Sequence, residues 1–343
     1  MTVSFSNYIR KVDMVCETLF LAAVVASLGI TEGFIPNQGA LRFTALGDWG
    51  GQGESPFTTP VEVAVAKAMG DVADMYQSQF TLALGDNFYT EGVKSVDDPR
   101  FNETFENVFT AKALYNPWYV IAGNHDYYGN PHAEVEYTNR SARWHFPSFY
   151  YSMRYNIPAS NATILFVMID TVMLCGNTLD ETPGSDLGGP EDVTGALKQW
   201  RWIEETLKNS KDNYVIVAGH YPVWSIAEHG PTELLVAMLK PKLEKYGATA
   251  YFCGHDHNLQ HLKEDKSDVE YFVIGSAHVV DPSTAHSDNV PEGSLKFHDG
   301  DTSSLGGFAY VEVTASNATF TFVDALSRKD LYQRTLYPRK VSD

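Results

Sequence analysis

Five apolar runs in this chain end in the same way: a glycine, then a side chain able to bind a metal. They are Leu41–Leu46 before Gly47-Asp48, Phe80–Leu84 before Gly85-Asp86, Trp118–Ala122 before Gly123-Asn124, Tyr214–Ala218 before Gly219-His220, and Ala250–Cys253 before Gly254-His255. Short apolar runs bounded by turn signals read as buried strands. In open α/β sheets, ligands bind outside the carboxyl ends of the strands. A glycine there lets the backbone turn sharply and keeps Cβ bulk out of the crevice. One Gly-Asp after a strand is an ordinary turn. Five such ends in one chain restrict it to a sheet-based α/β protein with a site at its strand ends.

The remaining elements are consistent with that. Val61–Tyr76 has helical spacing and sits between two strands, which makes a βαβ unit and a parallel pair. Helices are predicted over Pro99–Thr110, Leu197–Leu207 and Thr232–Tyr246, and an antiparallel pair over Tyr150–Tyr155 and Ile164–Ile169. Further strands are predicted at Tyr271–Ile274, Phe308–Val313 and Thr319–Val323, and a long loop over Gly176–Gly195. With no repeat and no linker, residues 41–336 read as a single catalytic domain.

The formal net charge of -18 argues against nucleic acid as a partner, because no basic face is available to neutralise phosphates. Arg10 and Lys11 precede the apolar run Leu19–Ile30, so residues 1–30 read as a signal peptide, with an uncleaved signal anchor as the alternative. No second run is long and apolar enough to span a membrane. Four sequons, at Asn102, Asn139, Asn161 and Asn317, agree with a secreted, lysosomal or endomembrane-lumen protein. Cys16 falls within the signal segment. Cys175 and Cys253 remain, and nothing requires them to pair.

The stretch Gly85-Asp86-Asn87-Phe88-Tyr89 narrows the chemistry. A carboxylate can hold two cations at once, so Asp86 reads as a bridge between two metals. A phenol becomes a metal ligand only when a strong Lewis acid removes its proton. Ferric iron does this, whereas zinc and magnesium rarely do, so Tyr89 marks one ion as Fe(III).

Gly85-Asp86-Asn87-Phe88-Tyr89, Gly123-Asn124-His125-Asp126, Gly219-His220-Tyr221-Pro222 and Gly254-His255-Asp256-His257 together resemble the purple acid phosphatases of the metallophosphoesterase superfamily. Ser225-Ile226-Ala227-Glu228-His229-Gly230-Pro231 and Leu305-Gly306-Gly307-Phe308-Ala309-Tyr310 resemble its small, animal-type, tartrate-resistant members. The resemblance covers about Leu41 to Leu336. It implies a calcineurin-like fold, a four-layer α-β-β-α sandwich of two mixed sheets. It implies Fe(III) on Asp48, Asp86, Tyr89 and His257, and divalent Fe, Zn or Mn on Asp86, Asn124, His220 and His255. Hard anionic oxygens thus collect on the trivalent ion, and imidazoles and an amide on the divalent one.

The implied reaction is phosphomonoester hydrolysis by in-line attack of a metal-held hydroxide. The substrates are phosphoproteins, nucleotides or small phosphates, and the enzyme is expected to be a monomer. His125 would face the transferring phosphoryl group, and His229 is the other candidate for protonating the leaving oxygen, with a surface histidine at a helix start as the alternative reading. Asp256, between two ligands, would orient them through a hydrogen bond. Two departures stand out. Tyr127 occupies a place where animal-type relatives often carry histidine, and Cys175 lacks the usual disulfide partner near Thr232–Leu235. Competing readings are a Mn- or Zn-dependent phosphodiesterase or nucleotidase of the same superfamily, and a secreted metal- or phosphate-binding protein without turnover. An iron pair would also permit redox chemistry beside hydrolysis.

Overall fold

The computed structural model describes residues 37–178 and 187–339. The expected signal segment lies outside the described residues, as does the middle of the loop Gly176–Gly195.

Two seven-stranded sheets pack face to face. The first takes the order β14-β13-β12-β1-β2-β3-β4. Its members are β1 (Leu41–Leu46), β2 (Phe80–Leu84), β3 (Trp118–Ile121), β4 (Trp144–His145), β12 (Gly307–Val313), β13 (Ala318–Asp324) and β14 (Asp330–Leu336). β1 to β4 are parallel, with Leu46 opposite Ala83 and Leu84 opposite Ile121, and the C-terminal strands run antiparallel beside β1. The second takes the order β11-β9-β10-β8-β7-β6-β5. It contains β5 (Tyr151–Asn156), β6 (Thr163–Met168), β7 (Tyr214–Ala218), β8 (Ala250–Cys253), β9 (Leu259–Leu262), β10 (Glu270–Ile274) and β11 (Leu295–Asp299). Here β6, β7, β8 and β10 are parallel, and the edges are antiparallel.

Alternate residues of each strand face the partner sheet, so one apolar layer fills the space between them. Phe43 and Phe80 of the first sheet meet Phe166 of the second edge-on, at 5.2 and 5.5 Å. Phe272 of β10 stacks on Phe320 of β13 at 3.9 Å. The outer faces are covered by helices. α1 (Pro60–Tyr76) lays Val65, Met69 and Val72 on the first sheet, within the cluster that holds Ala83 and Val120. α2 (Pro131–Tyr137) and α3 (Thr171–Cys175) are short. α4 (Val193–Asn209), α5 (Glu233–Met238) and α6 (Lys240–Lys245) cover the second sheet through Trp200, Ile203, Leu207, Leu235 and Leu243. The result is the expected α-β-β-α sandwich of two mixed sheets.

Several boundaries differ from the sequence expectation. The helix expected over Thr232–Tyr246 is two short helices, because Pro241 cannot continue the hydrogen-bond ladder of the first. The helix expected over Pro99–Thr110 is one wide turn, Phe101–Glu106, whose neighbours Phe105 and Phe109 pack on Trp49 at 5.6 and 5.5 Å. The expected loop gives way to α4 already at Val193. Cys175 and Cys253 are both buried and unpaired.

Candidate metal centre

Each sheet delivers part of one site at the same end of the sandwich. The loops after β1, β2 and β3 carry Asp48, Asp86, Tyr89 and Asn124. Those after β7 and β8 carry His220, His255 and His257. Three of these residues sit in the left-handed region: Asp48 at φ 57°, Asp86 at φ 51° and His255 at φ 72°. Such backbone costs about 1–3 kcal/mol per residue and persists where its surroundings over-determine it. Here hydrogen bonds do so. Gly47 N–H donates to Ile274 O (2.8 Å), Asp48 N–H to Gly85 O (3.0 Å), and His255 N–H to both oxygens of Asp48 (3.0 and 2.8 Å). Two glycines allow the close approach. A Cβ on Gly254 would lie 2.2 Å from Asp48 Oδ2, and one on Gly123 2.2 Å from Asp86 Oδ1.

Two donor groups result, joined by Asp86. In the first, Tyr89 Oη lies 3.1 Å from Asp48 Oδ1, 2.9 Å from Asp86 Oδ2 and 3.0 Å from His257 Nε2. The ligand atoms of Asp48, Asp86 and His257 lie within 4.8 Å of one another. In the second, Asn124 Oδ1 is 2.9 Å from His220 Nε2 and 3.0 Å from His255 Nδ1, and His220 Nε2 is 3.4 Å from Asp86 Oδ1. All seven expected ligands therefore converge, with one oxygen of Asp86 toward each group.

The electrostatics agree with a cation site. Burial, with Asp48 and Asp86 beside it, pushes the Tyr89 phenol well above its usual range, so the protein alone keeps it neutral. Burial opposes ionisation of Asp86 as well, but His220 and His125 hold its carboxyl well below the usual value. His220 Nδ1–H donates to Leu84 O (2.9 Å), which points Nε2 inward, toward Asn124 Oδ1 and Asp86 Oδ1.

Around these donors stand groups without a ligand role. His125 donates its backbone N–H to Asp86 Oδ1 (3.0 Å) and its Nδ1–H to Thr90 O (2.7 Å), so Nε2 remains available. His229 stacks on His255 at 4.1 Å, and its backbone N–H donates to Asp256 Oδ1 (2.9 Å). The buried Asp256 carboxylate thus ties down the His229 loop, where an imidazole partner was expected. A groove of about 980 Å³ opens beside His229 and His255, with Trp224, Glu233 and His286 in its wall. Tyr127 Oη donates to Asp170 Oδ2 (2.5 Å), the residue that caps α3.

The sequence assigns no role to three further contributors. Asp126 accepts from the backbone N–H groups of Gly123 (2.7 Å), Asn87 (2.9 Å) and Phe88 (3.1 Å), locking the β2 and β3 loops together. Arg100 donates to Tyr89 O (2.6 Å) and Gly50 O (2.8 Å), bracing the β2 loop against the β1 loop. His278 stacks on Tyr89 at 4.1 Å. Of the four sequon asparagines, Asn102, Asn139 and Asn161 are exposed and Asn317 is half-buried.

The calcineurin-like phosphoesterase family profile matches residues 41–259. Tartrate-resistant acid phosphatase type 5 from Oryctolagus cuniculus is 50% identical over 90% of this chain and 93% of its own length. The chain belongs to the purple acid phosphatases. Purple acid phosphatase 17 of Arabidopsis thaliana is 30% identical, over 89% of this chain and 88% of its own. A solved structure described as GAP50, the anchor in the inner membrane complex of Plasmodium, shares the fold at TM-score 0.74 and 22% identity, covering 88% of this chain and 90% of that one.

This purple acid phosphatase is a hydrolase of phosphomonoesters, and the family relies on a dinuclear metal centre. The donor set fits one. Carboxylates and a phenol cluster at one position, two imidazoles and an amide at the next, and a single carboxylate reaches both. No helix among the described residues is long and apolar enough to cross a membrane.

Proposed function

We propose that this acid phosphatase holds Fe(III) on Asp48, Asp86, Tyr89 and His257, and divalent Fe, Zn or Mn on Asp86, Asn124, His220 and His255. The observation that carries the reading is the Tyr89 hydroxyl, set within 3.1 Å of two carboxylates and an imidazole nitrogen. Burial and the two carboxylates hold that phenol neutral in the protein alone. Bound together, the two ions supply the positive charge that draws a phosphate dianion into an acidic protein, and they acidify water.

The chain's own groups do the rest. His125, its ring fixed by Thr90 O, presents Nε2 to the transferring phosphoryl group. His229, held by its ring stack and by Asp256, delivers a proton to the leaving oxygen. The overall change is cleavage of a P–O ester bond by water, giving alcohol and inorganic phosphate. The groove beside His229 receives the alcohol portion of a phosphoprotein, nucleotide or small phosphate. Three exposed sequons support a secreted or lysosomal setting.

The deciding experiment is a visible absorption spectrum with metal analysis, for the purified protein and for Tyr89→Phe. The expected result is a purple or pink band and one ferric ion per chain, with the band lost in the variant. A colourless, active protein holding two zinc or manganese ions would move it to the metallophosphoesterases that lack a phenolate ligand.

A further inference from the structure

We infer that His278 is a positioning residue for Tyr89, its ring holding the phenol plane against the metal position and tuning the electronic environment of the phenolate. The inference rests on the reading of Tyr89 as an iron ligand.

The His278 and Tyr89 rings lie nearly parallel, 20° apart, with centroids separated by 4.1 Å. Of the aromatic neighbours of Tyr89 among the described residues, only His278 covers its face in this way. His125 is tilted by 56° at 4.5 Å, and His257 stands edge-on at 86°. His278 also meets the His257 ring at 5.8 Å and 78°. It therefore packs against two of the four residues assigned to the ferric ion, while belonging to neither strand-end loop that carries them.

A tyrosine hydroxyl stands at the end of a long lever. A catalytic constellation tolerates errors of about 0.5 Å or 10–20°. Hydrogen bonds at Oη fix one end of that lever, but rotation of the ring about its own long axis is free of them. A face-on neighbour removes that freedom. It also sets the polarisability beside the π system whose electrons are shared with the ion.

One hydrogen bond, to the backbone of Gly51, holds the imidazole, and it does not by itself explain the stack on Tyr89. The imidazole Nδ1 is buried and has no hydrogen-bond partner among the described residues, which is unfavourable for a polar ring. The residue is anchored through its backbone as well. Thr59 Oγ1–H donates to His278 O at 2.8 Å, tying this loop to the start of α1. What the ring itself contributes is its plane.

The test compares iron-loaded wild type with His278→Leu, which fills the space without an aromatic plane, and His278→Phe, which restores the plane without nitrogen. Metal content, visible spectrum and steady-state kinetics are read on each. All three should bind iron. The leucine variant should show a displaced, broadened band and about a tenfold lower kcat, with KM within about twofold. The phenylalanine variant should recover band width and kcat. If leucine and phenylalanine variants both match wild type in spectrum and kcat, or leucine matches phenylalanine, the ring plane has no role and the inference is wrong. A colourless wild type after iron loading would overturn it together with the assignment of Tyr89, whereas a purple wild type with indifferent variants overturns it alone.

Discussion

The site depends on places where a side chain is absent as much as on those where one is present. Gly254 brings the β8 loop so near Asp48 that a single methyl group would overlap the carboxylate, at 2.2 Å. Gly254→Ala should therefore displace Asp48 while leaving the sheets intact. Misplacement of a reacting group by about 1 Å costs about 100-fold in rate. The expectation is a loss of that order in kcat/KM, with ferric iron falling below one per chain and an unchanged far-ultraviolet circular dichroism spectrum. Full iron content with wild-type activity would show that the loop yields without cost. At this scale the sequence was most informative about ligands, because each follows an apolar run and a glycine. Arg100 and His278 carry no such mark. They are single residues in loops, and their roles depend on which loops the fold brings together.

At the scale of elements, α1 illustrates how a helix start can serve a site and sense pH. Thr59 Oγ1 accepts from Glu62 N–H (3.1 Å), and the Glu62 side chain accepts from Thr59 N–H (3.3 Å), a reciprocal cap. Burial pushes the Glu62 carboxyl up from 4.5 to about 9, the backbone hydrogen bond and Arg100 only partly opposing it. A carboxyl that binds its proton more tightly when folded stabilises the fold fully below its unfolded value. That contribution is lost as pH rises from 4.5 toward 9. Glu62→Gln retains a neutral side chain that does not titrate. Its Tm should match wild type near pH 4.5 and exceed it by about a few degrees at pH 8. An offset independent of pH would refute the assignment. Central strands were legible because they are uniformly apolar. β14, with its mostly exposed or half-buried residues, and β9, with Gln260 and His261 inside it, were not, because neither shows the uniformly apolar run that marks a buried strand. Pro241 was visible, but the apolar face on both sides of it masked the break.

For the whole molecule, the division of donors matters. The first sheet supplies acids, phenol and amide, and the second supplies imidazoles, so bound ions tie the two sheets together. A ligand present at about a thousandfold above its dissociation constant stabilises the folded state by about 4 kcal/mol. Stripping the two metal ions with reductant and chelator should lower Tm by about 10 °C, and adding them back should restore it. An unchanged Tm would mean that the sandwich holds the donors in place unaided.

The strand order of the first sheet also sets a schedule for synthesis. β1, which leads into Asp48, is flanked by β2 on one side and by β12 on the other, and β12 does not exist until residue 313 has been made. The last imidazole, His257, appears between those times. A ribosome-bound chain therefore carries an unfinished sheet and an incomplete set of donors through most of translation. Assembly of the complete donor set therefore belongs to the end of synthesis, after the C-terminal strands have docked.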